Sequence, residues 1–257
     1  MEPQLSIIEA GPQRRRIATL RRDGGGPCVV WLGGFRSDMR ATKAEALDRW
    51  AAGAGRALLR FDYSGHGESG GDFADGTIGA WSEDALAAIE AFAGERPVFV
   101  GSSMGGWIAL LIALELKRRR SPQAPSGLVL IAPAVDFTEA LMWPQLPEEA
   151  RRAIETRGVW LRPSDYSPEP YPITRRLFEE GRKHLLLDAP IEPGCPVHIL
   201  QGMRDPDVPW RHALTIVEHL PADAVTLSLV KDGDHRLSRE QDVAMLIRAV
   251  AAMVENL

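Results

Sequence analysis

Short apolar runs alternate along the chain with longer stretches in which apolar positions recur every three or four residues. Residues 28–32 (CVVWL), 57–62 (ALLRFD), 97–101 (PVFVG), 127–132 (GLVLIA), 196–201 (PVHILQ) and 225–230 (VTLSLV) read as strands. Most are apolar throughout rather than alternating, the pattern of strands covered on both faces. The stretches at about 40–53, 79–93, 104–119, 210–219 and 238–255 read as helices. The last carries Val243, Leu246, Ile247, Val250 and Val254 as a stripe of helical period, with Ser238 placed to cap its start. This alternation predicts the α/β class: a mostly parallel central sheet, right-handed crossovers, and helices on both faces. Within the first 22 residues, LSIIEA and RIATLRR predict an antiparallel pair at one edge.

One region breaks the rhythm. From Asp136 to Gly194 no strand is predicted; prolines stand at 144, 147, 163, 168, 170, 172, 190 and 193, with helical patches at 147–157 and 173–187. That is too long for a plain connection. The expected organisation is a core of residues 1–135 and 195–257 with a helical cap inserted at 136–194.

Composition adds mainly exclusions. The chain has 257 residues, 45% hydrophobic and 25% charged, so one large or two small globular domains are expected and disorder is not. A net charge of −5 gives no general case for nucleic acid. The run Lys117-Arg118-Arg119-Arg120 ends a helix, where cations suit the dipole. Two cysteines, Cys28 and Cys195, are too few for a disulfide framework, and Asn256 is the only asparagine, so no glycosylation sequon exists. No apolar run is long enough to span a membrane, and residues 1–27 lack the apolar segment of a secretory signal. A reducing cytoplasm is the expected compartment.

The strongest chemical feature is Gly101-Ser102-Ser103-Met104-Gly105, a G-x-S-x-G between a strand and a helix. That context suits a nucleophile elbow, where the serine stands exposed on a tight turn. A serine needs a base. His235, in Asp232-Gly233-Asp234-His235, follows the last strand and is the favoured candidate; His66, in a glycine-rich loop, is its rival. An orienting acid is expected at Asp205 in Gly202-Met203-Arg204-Asp205, with Asp207 and Asp136 as competitors. The chain order Ser, Asp, His fits the elbow pattern. Acyl transfer puts negative charge on oxygen, so two oriented donors are needed. The backbone N–H groups of Met104, after the serine, and Phe35, in Trp31-Leu32-Gly33-Gly34-Phe35, are the candidates.

Other motifs fail on context. Gly65-His66-Gly67-Glu68-Ser69-Gly70 matches G-x-G-x-x-G, but a glycine- and aspartate-rich loop follows where a dinucleotide site needs a helix. No phosphate loop, H-E-x-x-H or C-x-x-C occurs. No cofactor and no metal are expected.

Together these residues resemble the α/β-hydrolase superfamily over essentially the whole chain. Asp62-Tyr63-Ser64-Gly65-His66-Gly67-Glu68-Ser69 resembles its D-x-x-G-x-G-x-S loop, which supports the site in relatives without itself being catalytic. A narrower set is similar to the mitochondrial acyl-protein thioesterase branch, also described as acyl-glucuronide esterases. It comprises Phe61-Asp62-Tyr63-Ser64-Gly65, Gly101–Trp107, Gly158-Val159-Trp160 with Pro163-Ser164-Asp165-Tyr166-Ser167, Gly202–Asp205 with Val208-Pro209-Trp210, and Asp234-His235-Arg236. The resemblance implies catalytic roles for Ser103, Asp205 and His235, and cleavage of acyl esters or thioesters. A small acyl ester or thioester, or an S-acylated protein, is then the expected substrate, without stable membrane insertion. Met142, Trp143 and Leu161 in the insert are candidates for lining an apolar acyl pocket, with Trp160 more suited to the insert's own core. A lyase using the same three residues, or a ligand-binding module without turnover, are the rival readings.

Overall fold

The computed structural model describes residues 2–163 and 169–255. Ten strands are present among them: β1 (Gln4–Ala10), β2 (Arg15–Arg22), β3 (Gly25–Leu32), β4 (Arg56–Phe61), β5 (Val98–Ser102), β6 (Gly127–Ile131), β7 (Val159–Arg162), β8 (Tyr171–Thr174), β9 (Val197–Gly202) and β10 (Val225–Val230). The helices are α1 (Thr42–Ala54), α2 (Ile78–Phe92), α3 (Met104–Arg118), a short α4 (Trp143–Gln145), α5 (Glu148–Arg157), α6 (Arg175–Gly181), α7 (Trp210–Glu218) and α8 (Glu240–Glu255).

Eight strands form one sheet in the order β1-β2-β4-β3-β5-β6-β9-β10. The β1/β2 and β2/β4 pairs are antiparallel, and every pair from β4 through β10 is parallel. The expected lead-in pair is therefore the edge of the sheet. Side chains alternate between two cores, as the two-residue period of a strand demands. Val30, Leu32, Phe99, Leu128, Leu130 and Ile199 face α2, α3 and α7. Val29, Trp31, Val98, Val100, Val129 and Ile131 face α1 and α8. Burial on both faces explains why these strands carry no polar alternation.

Two local expectations need correction. Ser238 does not cap α8: its hydroxyl donates to Arg236 O, and Asp242 reaches back to the Arg239 N–H instead. The segment 136–194 does hold strands: β7 and β8 pair as an antiparallel two-stranded sheet, separate from the large one. Each is only four residues long, and Pro170 and Pro172 mask the pattern, which is tolerable because this small sheet is all edge.

The segment is tied to the core at several points. Asp136, at φ 55°, accepts the Leu186 and Leu187 amides at 2.8–3.0 Å. Trp107 Nε1 donates to His184 O at 3.1 Å, and the Gly79 amide at the start of α2 donates to Glu180 of α6 at 2.9 Å. Its apolar centre is Leu146, Ala150, Ile154, Ile173 and Phe178, with Met142, Trp143, Trp160, Tyr171 and Phe35 packed against it. Among the described residues, no helix is long and apolar enough to cross a membrane.

Candidate active site

The loops after β3, β5, β9 and β10 all leave the carboxyl end of the parallel sheet, where open α/β sheets place their sites. Ser103 lies between β5 and α3 at φ 53°, ψ −117°, a conformation an L-residue holds only under constraint. The constraint is visible in its neighbours. A Cβ at Gly105 would sit 2.1 Å from Leu32 O, and one at Gly101 would sit 2.5 Å from Gly105 O. The turn is thus packed against the end of β3 with no room for a side chain two residues before or after the serine, at Gly101 or Gly105.

Three side chains from distant parts of the chain meet here. Ser103 Oγ lies 3.1 Å from His235 Nε2, and His235 Nδ1 lies 2.8 Å from Asp205 Oδ2. A proton on Nδ1 satisfies both contacts: Nδ1–H donates to the carboxylate and Nε2 accepts from the serine hydroxyl. Asp205 is buried and held on all sides. Its Oδ1 accepts the Asp207 and Val208 amides at 2.9 and 2.8 Å, while Gln201 Nε2 donates to Oδ2 at 3.2 Å. Fixed donors of this kind hold the carboxylate in one orientation.

The loop bearing His235 is braced from two sides. Arg204 N donates to Gly233 O, and Lys43 Nζ, from the first turn of α1, donates to Arg236 O at 2.5 Å. Burial holds the Lys43 ammonium down, to about 8.

The competing residues are otherwise engaged. The Asp136 carboxylate is committed to the Leu186 and Leu187 amides, and burial raises its pKa above the ordinary value. Asp207 is exposed, with its ligand atom within 4.8 Å of those of Asp205 and His235. That trio is the one candidate cation cluster among the described residues, but it suits a cation poorly, since two amides already occupy Asp205 Oδ1 and His235 together with Gln201 occupies Oδ2. His66 is buried and faces the Arg36 amide and Ser64 O. His198 meets Ser228 Oγ, His212 meets Val135 O, and His219 meets Thr215 O.

Two backbone amides border the serine. Met104 is the first residue of α3, so no earlier helical carbonyl takes its N–H, and the helix dipole favours negative charge there. Gly34 lies so close that a Cβ on it would stand 3.4 Å from Ser103 Cβ, and Phe35 follows directly. The Phe35 ring packs edge-on against Phe73, Trp81, Phe137 and Tyr171 at 4.9–6.3 Å.

Met142 packs against both the main core and the apolar centre of the 136–194 segment, and Phe35 also packs against both. Trp143 sits edge-on to Phe178 at 4.9 Å. Leu161 is 56% exposed and joins no cluster. Residues 164–167 of the resemblance motif lie outside the described residues. Sequence reasoning missed Gln201 and the aromatic wall around Phe35. A glutamine near the carboxyl end of a mostly apolar strand was the available signal for the first.

A model of the alpha/beta hydrolase family matches residues 28–249. The bovine mitochondrial palmitoyl-protein thioesterase ABHD10 is 35% identical, aligned over 96% of this chain and 79% of its own. Among solved structures, a putative hydrolase from Agrobacterium vitis S4 is 51% identical with a TM-score of 0.93, covering 98% of both chains. Mouse alpha/beta hydrolase domain-containing protein 10 is 33% identical with a TM-score of 0.87, covering 98% of this chain and 99% of its own.

Proposed function

The chain belongs to the alpha/beta hydrolase family, and on that footing we propose that it is a cofactor-free serine hydrolase cleaving acyl esters or thioesters through an acyl-enzyme. The observation that carries this reading is the hydrogen-bonded chain Ser103–His235–Asp205 on a constrained strand-to-helix turn. His235 Nε2 takes the hydroxyl proton as Ser103 Oγ attacks the acyl carbonyl. Asp205 holds the ring in the tautomer that leaves Nε2 free to accept, and stabilises the imidazolium that forms. The Phe35 and Met104 amides receive the oxyanion. His235 then returns the proton to the leaving alcohol or thiol. In the second half, it activates water to release the acid and regenerate Ser103.

The relatives named as palmitoyl-protein thioesterases support a thioester with an apolar acyl chain as substrate class. In this reading the 136–194 segment is a cap, and Met142, packed on the same two apolar clusters as Phe35, borders the acyl site. Turnover of acyl thioesters and oxyesters of graded chain length, together with labelling by a fluorophosphonate, tests the proposal. Labelling of Ser103 with no hydrolysis of any ester or thioester would favour the lyase reading. Neither labelling nor turnover would favour a binding module.

A further inference from the structure

The loop Gly65-His66-Gly67 contributes nothing to the Ser103–His235–Asp205 chain, yet it holds a buried histidine with both ring nitrogens engaged. Arg36 N–H donates to His66 Nε2 at 3.1 Å, and His66 Nδ1 lies 3.2 Å from Ser64 O. An amide N–H can only donate, so Nε2 is the unprotonated nitrogen and Nδ1–H donates to Ser64 O. Burial, reinforced by the Arg36 charge and opposed by the Ser64 bond, holds the imidazole down to about 4. The ring therefore stays neutral, and Nε2 stays an acceptor, at neutral pH.

The bracing runs deeper into the core. Ser64 O also accepts Trp81 Nε1 at 3.0 Å; the Ser64 amide and hydroxyl both donate to Asp84 Oδ2, at 2.9 and 2.6 Å; Asp84 Oδ1 accepts Arg15 Nε at 2.8 Å. The His66 ring is walled by Tyr63, Phe73 and Trp81 at 5.2–5.7 Å. Phe73 and Trp81 are also edge partners of Phe35. Arg36 itself sits at φ 59°, a left-handed conformation that a residue with a Cβ holds at a cost. A bond to its amide offsets that cost.

We infer that His66 is a positioning residue for the oxyanion loop: by accepting the Arg36 amide it fixes the orientation of the neighbouring Phe35 amide beside Ser103. The inference rests on the reading of Phe35 N–H as an oxyanion donor. His66 does not touch substrate; it acts through Arg36, and its effect belongs to the transition state, where charge develops on oxygen.

The test compares His66→Phe, which keeps a ring but removes the acceptor, with His66→Gln, which returns an acceptor near the Nε2 position. His66→Phe is expected to lower kcat by about 10- to 100-fold, short of the ~10²–10³ for outright loss of an oxyanion donor, with KM within about threefold. His66→Gln is expected to recover most of that loss. Active-site titration with a fluorophosphonate normalises each rate to competent sites, so misfolded protein does not register as a lower kcat. A normalised kcat for His66→Phe equal to wild type overturns the inference, and so does a Gln variant no better than the Phe one. If wild type itself neither labels nor turns over, the hydrolase reading fails instead.

Discussion

Nδ1 of His235 lies 2.8 Å from Oδ2 of Asp205, and that carboxylate also receives the Asp207 and Val208 amides and the Gln201 side chain. Asp205→Asn keeps the shape but offers an amide that cannot stabilise an imidazolium and favours the wrong tautomer. The expected cost is about 10⁴ in kcat, the size of effect seen for the same change in serine-protease triads. Asp207→Asn is expected to lower kcat by less than about tenfold, since its backbone rather than its side chain is what holds Asp205. Steady-state kinetics on the two variants checks this; equal damage would reassign the acid.

Asp136 makes a different prediction. Its carboxylate ties the loop after β6 to residues 186–187. Asp136→Asn should lower stability by about 1.5–3 kcal/mol, the range for a hydrogen bond to a charged group, while kcat per folded molecule stays near wild type. Thermal unfolding together with kinetics separates the two effects.

Acyl-chain selectivity should follow Met142 more than its neighbours. Met142, like Phe35, packs against both the main core and the centre of the 136–194 segment, Trp143 packs on Phe178, and Leu161 is largely exposed. Burying a methylene is worth about 0.8 kcal/mol, so four methylenes give up to about 3 kcal/mol, or about two orders of magnitude in kcat/KM. Met142→Gln is expected to lower kcat/KM for octanoyl esters far more than for acetyl esters, with a smaller change for Trp143→Gln and none for Leu161→Gln. The ratio of long- to short-chain kcat/KM in each variant is the readout.

Stability in acid should carry the signature of His66. Its folded pKa is depressed to about 4, below the ordinary 6.5 of the unfolded chain. Between these values the unfolded state binds the proton and the folded state does not. The His66 contribution is therefore fully present above pH 6.5 and is lost as pH falls through about 4. The wild-type minus His66→Gln difference in unfolding free energy should shrink over that window. A difference independent of pH would mean that the ring is not buried neutral.

The sheet was legible because its strands are apolar on both faces and separated by helix-period stretches, a pattern few architectures share. The tight strand-to-helix turn at Ser103 was legible from small residues flanking a serine. Tertiary meetings were not. Nothing local to Gln201 says that its amide reaches Asp205, and nothing local to Phe35 says that Phe73, Trp81, Phe137 and Tyr171 converge on it. The β7/β8 pair escaped because two four-residue strands, one holding Pro172, carry too little periodicity to register. His66 reads in the sequence as a competing base; its neighbours in space, Arg36 and Ser64, instead engage both of its nitrogens.

The central claim is that Ser103 carries the acyl group. The most direct measurement is hydrolysis of an octanoyl thioester by wild type and by Ser103→Ala at equal concentrations of folded protein. A fall of about 10⁴-fold or more, with the unfolding temperature unchanged, is the predicted result. Hydrolysis by Ser103→Ala within about tenfold of wild type would contradict it, because the chemistry would then run without the hydroxyl hydrogen-bonded to His235 Nε2.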